Sequence, residues 1–224
     1  MRPGRGWRFR RWPCVIGIGK VLGMRLLIAF LSLSLLVQPR PALTREVGVV
    51  SGLYDGGMMV GFDPATQMTT GYFSSETGQG QFTCIFYLEG KLQGSKVAVS
   101  TYFPGAAADL IPGQLTLDAP DRFRVRLKDE HGGCWNVMHF ADNEQPANFT
   151  LDRAYPWISV AVIQKAKAYF YDAPGAATHR KGYIVKGDGV GVRATKPGWL
   201  QVDFVGGAKP VSGWIQQSDV FPAR

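Results

Sequence analysis

The chain has 224 residues, 46 % of them hydrophobic, with 28 glycines, 14 prolines and a formal charge of +8. That length admits two small domains or one large β domain, and the composition suits a globular chain rich in turns. The charge is not a nucleic-acid footprint: residues 1–42 hold eight Lys/Arg and no acid, leaving 17 basic and 17 acidic residues in a neutral remainder, which disfavours DNA or RNA as a partner.

The basic leader precedes an apolar run of twelve residues, Leu26 to Val37, directly after Met24-Arg25. Such a run is short for a membrane span and suits the apolar region of a secretory signal, so residues 1–42 read as a leader and export is expected. An uncleaved anchor is the alternative; after cleavage no stable membrane insertion is expected. The stretch before Met24 reads as an overlong basic region or an upstream start. Arg40-Pro41-Ala42 makes a poor cleavage site, and no cysteine stands there to accept a lipid. Cys14 falls in the leader, leaving Cys84 and Cys134 as an even pair. In an oxidising compartment such a pair is expected to form one disulfide, worth about 4 kcal/mol for a fifty-residue loop.

Residues 43–164 read as an antiparallel β domain, a barrel or a sandwich. Val47 to Tyr54 is a strand candidate closed by Asp55-Gly56-Gly57. Met58–Phe62 and Thr69–Phe73 flank a turn at Asp63-Pro64-Ala65-Thr66-Gln67 and read as a hairpin. Gln81–Leu88 alternates, is expected to turn at Glu89-Gly90-Lys91, and returns through Lys96–Tyr102. Ala106 to Leu110 allows a single turn of helix. Gln114–Leu117 pairs with Phe123–Leu127, which sets Arg122, Arg124 and Arg126 on one solvated face. Cys134–Phe140 and Trp157–Ile163 supply the last strands. About eight consecutive antiparallel strands with no amphipathic helix exclude an α/β nucleotide fold.

Residues 165–224 read as a small barrel of five or six tightly turned strands. Ala168–Tyr171, Gly182–Val185, Val190–Ala194, Trp199–Phe204 and Gly213–Ile215 are separated by clusters such as Asp172-Ala173-Pro174-Gly175 and Lys186-Gly187-Asp188-Gly189. Val160–Ile163 runs almost directly into Ala168-Tyr169-Phe170, so the two parts are expected to pack together.

The stretch 165–224 resembles the bacterial SH3-like domain. The resemblance rests on Lys186-Gly187-Asp188 before a valine-rich strand, on Gly198-Trp199-Leu200-Gln201-Val202, on Gly213-Trp214-Ile215 and on the ending Ser218-Asp219-Val220. It departs at its opening, where Tyr169-Phe170-Tyr171-Asp172-Ala173-Pro174 stands in place of the Asn-Val-Arg-x-Gly-Pro run of many cell-wall-targeting members. The first part is similar to the N-terminal part of uncharacterised exported SH3-like proteins of Gram-negative bacteria. The resemblance implies a periplasmic or secreted binding protein whose partner is peptidoglycan or a periplasmic protein.

The chemical motifs argue for binding. Gly132-Gly133-Cys134-Trp135 is similar to the nucleophile loop of papain-like cysteine peptidases, but a reactive thiolate wants a helix N-terminus and an imidazole beside it. Here alternation follows Cys134 and places His139 on the opposite parity. A zinc site from His131, Cys134, His139 and Cys84 lacks paired short ligand spacings. The acidic pairs at Asp129-Glu130 and Asp142–Glu144 read as solvated turns. No catalytic residue, metal or cofactor is therefore assigned. Aromatic side chains remain: Tyr169, Tyr171, Tyr183, Trp199, Trp214 and Phe221. Half of these are expected in the core, with Tyr169 and Tyr171 on one face and Phe170 on the other. Tyr169, Tyr171, Trp199 and Trp214 are the candidate ligand-binding residues. Tyr54, Tyr72, Trp135 and Trp157 are weaker candidates in the first part, the tryptophans being expected in the core. The alternatives to a wall-binding protein are an inhibitor or immunity protein against a wall-degrading enzyme, and a cysteine peptidase or amidase using Cys134.

Overall fold

A computed structural model describes residues 48–141 and 144–222; the expected leader lies outside the described residues. The protein is all β. Eight strands, β1 (Gly52–Tyr54), β2 (Met58–Asp63), β3 (Met68–Thr77), β4 (Phe82–Gln93), β5 (Lys96–Tyr102), β6 (Ile111–Ala119), β7 (Arg122–Leu127) and β8 (Ala147–Ala154), pair each with the next, and β8 returns to β1 to close an antiparallel barrel. A second, four-stranded sheet has the order β14-β13-β12-β9, formed by β9 (Ser159–Val162), β12 (Gly189–Lys196), β13 (Trp199–Phe204) and β14 (Val211–Gln216). β10 (Lys167–Tyr169) and β11 (Tyr183–Val185) make a two-stranded ribbon. Among the described residues the only helical elements are three short 3-10 turns.

The barrel follows from period-two alternation. In β7, Phe123, Val125 and Leu127 point inward while Arg122, Arg124 and Arg126 face out, as their order predicts. Closure leaves no sheet edge, and side chains fill the interior. Phe73 stacks on Phe86 at 5.3 Å and Phe123 on Phe149 at 5.3 Å, with Phe140 edge-on to Phe73 at 5.0 Å. A second core, built from Ile163, Phe170, Ile184, Val190, Val202 and Ile215, is enclosed by the four-stranded sheet and the ribbon. The small barrel expected from the sequence thus takes the form of two sheets around one core, linked by a bridge from Tyr171 to Trp214.

Three local expectations are corrected. β4 runs straight through Glu89-Gly90-Lys91, and the chain reverses at Gly94-Ser95 instead, because Gly90 pairs with Val99 inside the sheet. The strand expected from Cys134 to Phe140 is a 3-10 turn, Cys134–Asn136, followed by a loop. There the Glu130 carboxylate accepts the backbone N–H groups of Phe140 and Ala141 at 2.8 and 2.9 Å, replacing a strand ladder with a side-chain anchor. Trp157 precedes β9, which pairs with β12 of the second sheet although it lies before residue 164.

The outer wall of the barrel is covered where β2, β3, β4 and β5 meet β9. Met59, Tyr72, Tyr87, Tyr102, Trp157, Val160 and Val162 form a buried cluster there. Burial on both faces explains the unbroken apolar runs Met58-Met59-Val60 and Phe86-Tyr87-Leu88. The two layers approach closely. A Cβ on Gly61 would lie 2.4 Å from the Ser159 backbone, and one on Gly191 would lie 1.9 Å from the Trp157 ring. Gly191→Ala is therefore expected to displace Trp157 and to destabilise the protein by about 1–3 kcal/mol, read as a lower urea midpoint.

Candidate ligand-binding surface

Tyr169, Trp199 and Trp214 come from the ribbon and the second sheet, Tyr171 follows β10, and folding brings all four to one surface. β13 alternates Trp199, Gln201 and Asp203 against the core-facing Leu200 and Val202. β14 pairs with it so that Trp199 stands opposite Gln216 and Trp214 opposite Gln201, which places the two tryptophans diagonally on one face. Tyr171 exchanges both backbone hydrogen bonds with Trp214, donating at 2.7 Å and accepting at 3.0 Å, and its ring stands edge-on to Trp199 at 4.9 Å. Phe170 is buried in the core, so the expected division between it and its tyrosine neighbours is present.

The rings continue beyond Tyr171. His179 lies edge-on to Tyr171 at 6.1 Å and stacks on Tyr169 at 4.0 Å, and Tyr169 meets Tyr183 at 5.7 Å. The sequence Tyr183, Tyr169, His179, Tyr171, Trp199 is thus a continuous line of rings. Tyr183 and His179 are exposed, and Tyr169, Tyr171, Trp199 and Trp214 are half-buried. Each of these rings packs on a neighbouring ring or ammonium while part of it meets solvent, which suits contact with a flat partner. An ammonium sits over a ring at two places: Lys167 Nζ lies 4.7 Å from the centre of Tyr183, and Lys196 Nζ lies 5.4 Å from that of Trp214. His179 was not singled out from the sequence. It sits in an irregular stretch, and no periodic pattern there signals which way its ring turns.

Asp203 and Arg180 brace the strands and loop that carry the strip. Buried Asp203 accepts a hydrogen bond from Trp157 Nε1 at 2.9 Å and another from the Ser212 hydroxyl at 2.6 Å, with Arg193 3.7 Å away. Arg180 donates to Asp172 at 2.6 Å and to the Ser212 carbonyl at 2.7 Å, tying the 172–182 loop to β14. Phe221 is half-buried away from the line of rings, packed beside Tyr102 and Val162. There it lines a hollow of about 710 Å³ between the barrel wall and the second sheet, along with Tyr87, Val160 and Leu200.

Candidates in the first part have other roles. Tyr54 and Tyr72 are buried, and their hydroxyls donate to the carbonyls of Val50 at 2.6 Å and Gly187 at 2.8 Å. Trp157 is core, as expected, whereas Trp135 is 68 % exposed and stands edge-on to His139 at 4.4 Å. Trp135 misses the core because its 3-10 turn lies outside the closed barrel, with only Cys134 buried. Cys84 and Cys134 form the expected disulfide. Gly133 is required beside it: its φ is +84° and a Cβ would meet the Thr83 carbonyl at 2.1 Å. Gly133 therefore serves to lay this loop against β4. Among the described residues, no group of three His, Cys, Asp or Glu side chains is arranged to hold a metal ion.

His131 is committed to structure. Its ring stacks on Phe86 at 5.0 Å, and Nε2 lies 2.7 Å from the Thr101 hydroxyl. That hydroxyl already donates to the Ile111 carbonyl at 2.8 Å, so it accepts from His131, which fixes the Nε2–H tautomer. Burial lowers the His131 pKa from its ordinary 6.5, more than the nearby Asp109 and Glu130 carboxylates raise it.

No protein-family model, curated protein or solved structure matches the chain. Fold and surface alone define the class: an all-β barrel protein with a packed-on second sheet that presents a strip of half-exposed rings.

Two outcomes follow for the barrel end. Replacing Cys84 and Cys134 together by Ala is expected to remove about 4 kcal/mol of stability, read by urea unfolding against the oxidised protein. Because the His131 pKa is lowered on folding, its contribution is full above about pH 6.5 and is lost as the pH falls towards the folded value. Stability should thus fall as the pH drops below about 6.5, with a smaller slope in His131→Phe.

Proposed function

We propose that this is an exported, non-enzymatic binding protein whose second sheet, an SH3-like module, contacts peptidoglycan through the strip Tyr169, His179, Tyr171, Trp199 and Trp214. The observation that carries the reading is the convergence of Tyr169, Tyr171, Trp199 and Trp214 on one half-exposed surface, with Tyr171 hydrogen-bonded to Trp214 and packed on Trp199. Sugar rings present flat C–H faces, and aromatic side chains already packed on their neighbours stack on them without a large ordering cost. Export is supported by the disulfide and by the apolar run of the leader. Among the described residues no helix is long and apolar enough to cross a membrane.

A second reading, an inhibitor or immunity protein acting on a wall-degrading enzyme, is favoured by Trp135. It projects from a loop pinned by the disulfide, the form of a rigid interface anchor. Co-sedimentation with purified peptidoglycan separates the two. Wall binding is expected, and Trp199→Ala with Tyr171→Ala is expected to weaken it by about 2 kcal/mol, roughly thirtyfold. Absence of sedimentation, together with a tight complex lost in Trp135→Ala, would favour the second reading.

A further inference from the structure

The neutrality of the chain after its leader conceals a division. Residues 44–164 hold eight Lys/Arg against 13 Asp/Glu, and residues 165–224 hold nine Lys/Arg against four Asp/Glu. The barrel part is therefore −5 and the part bearing the ring strip +5. The four acids of the basic part are occupied. Asp203 is buried against Trp157 and Ser212, and Asp219 is buried with Lys165 Nζ at 2.8 Å. Asp172 is paired with Arg180, and Asp188 accepts the Val185 N–H at 2.9 Å. Lys167 and Lys196, exposed beside the strip, form no ion pair among the described residues.

We infer that the ligand of the strip is anionic, a glycan-peptide strand whose carboxylates meet Lys167 and Lys196 while its sugar faces lie on the rings between them. This rests on the wall-binding reading and adds the charge of the ligand to it. The geometry places one ammonium by Tyr183 and one by Trp214, with Tyr169, His179, Tyr171 and Trp199 between. Neutral sugar stacking needs no cation at either place, and a basic face would gain nothing from an uncharged glycan. Two lysines held over rings, in a module whose acids are occupied, match a ligand carrying spaced negative charge. The acidic barrel repels the same ligand, so approach is directed to the strip.

The test uses the exported chain and purified peptidoglycan in two forms, native and with its carboxylates converted to neutral amides by carbodiimide coupling. Native wall should bind tightly at about 50 mM salt and weakly at about 500 mM. Amidated wall, and Lys167→Gln with Lys196→Gln against native wall, should each bind about tenfold more weakly. Both lysines are exposed, and an unchanged thermal midpoint in the double variant confirms that the fold is intact. Equal binding to native and amidated wall, with the double variant unaffected, overturns the anionic ligand and leaves wall binding standing. No binding to either form removes the wall reading and this inference together. Displacement of wall by equimolar single-stranded DNA overturns the assignment of the anion to a glycan-peptide, since a basic face lined with rings also fits a nucleic-acid strand.

Discussion

The architecture depends on how the outer edge of β9 is closed. One edge of this strand pairs with β12; the other would leave the peptide groups of Val160 without a strand partner. Two side chains from the barrel wall supply what is missing. The Thr70 hydroxyl accepts the Val160 N–H at 2.7 Å, and the Tyr87 hydroxyl donates to the Val160 carbonyl at 2.8 Å. Each bond is worth about 1 kcal/mol net, while an unpaired buried peptide group costs about 1–3 kcal/mol. The second sheet is thus fastened to the first barrel through its backbone as well as by apolar contact. Burial raises the Tyr87 and Tyr72 pKa values above the ordinary 10.0, so both phenols remain protonated donors at neutral pH.

The ring strip shares the sheet face that meets the barrel but stands farther along it. The side of β12 that carries Gly189 and Gly191 takes Tyr72, Met59 and Trp157 against its bare backbone. Trp157 then reaches Asp203 on β13, and Asp203 reaches Ser212 on β14, so a polar chain crosses the sheet from the barrel side. Trp199 and Trp214 lie on the same face of those two strands, farther along them. Fastening at one end of the sheet leaves the opposite end to present rings.

Much of this was legible in the sequence. The alternation of Phe123, Val125 and Leu127 with three arginines, the hairpin around Asp63–Gln67 and the Cys84–Cys134 pair all depend on local pattern and parity, and the structure shows each of them. The Cys134–Phe140 segment misled because its apolar residues alternate by chance: Cys134 and Phe140 are buried through a disulfide and a Glu130 anchor, neither of which has a period. Membership of β9 in the second sheet was hidden for another reason. Strand partners are fixed by contacts distant in sequence, and Val160–Val162 is equally apolar in either sheet. The unbroken run Met58-Met59-Val60 was the available sign of a covered barrel wall, since a solvated wall would have alternated. In the candidate ligand surface, the tyrosines and tryptophans were visible from composition and strand parity. His179 and the two lysines over rings were not, because loop conformation and long flexible side chains decide where those groups end up.

The fastening of β9 also has a mechanical side. A force applied at Trp199 or Trp214 passes laterally from β14 through β13 and β12 to β9, and from Val160 into the wall of a closed barrel by way of Thr70 and Tyr87. The closed barrel at the end of that route has no free strand edge. Tension at the strip is therefore shared between the Thr70 and Tyr87 bonds to Val160, the Tyr72 bond to the Gly187 carbonyl and the apolar cluster around Trp157.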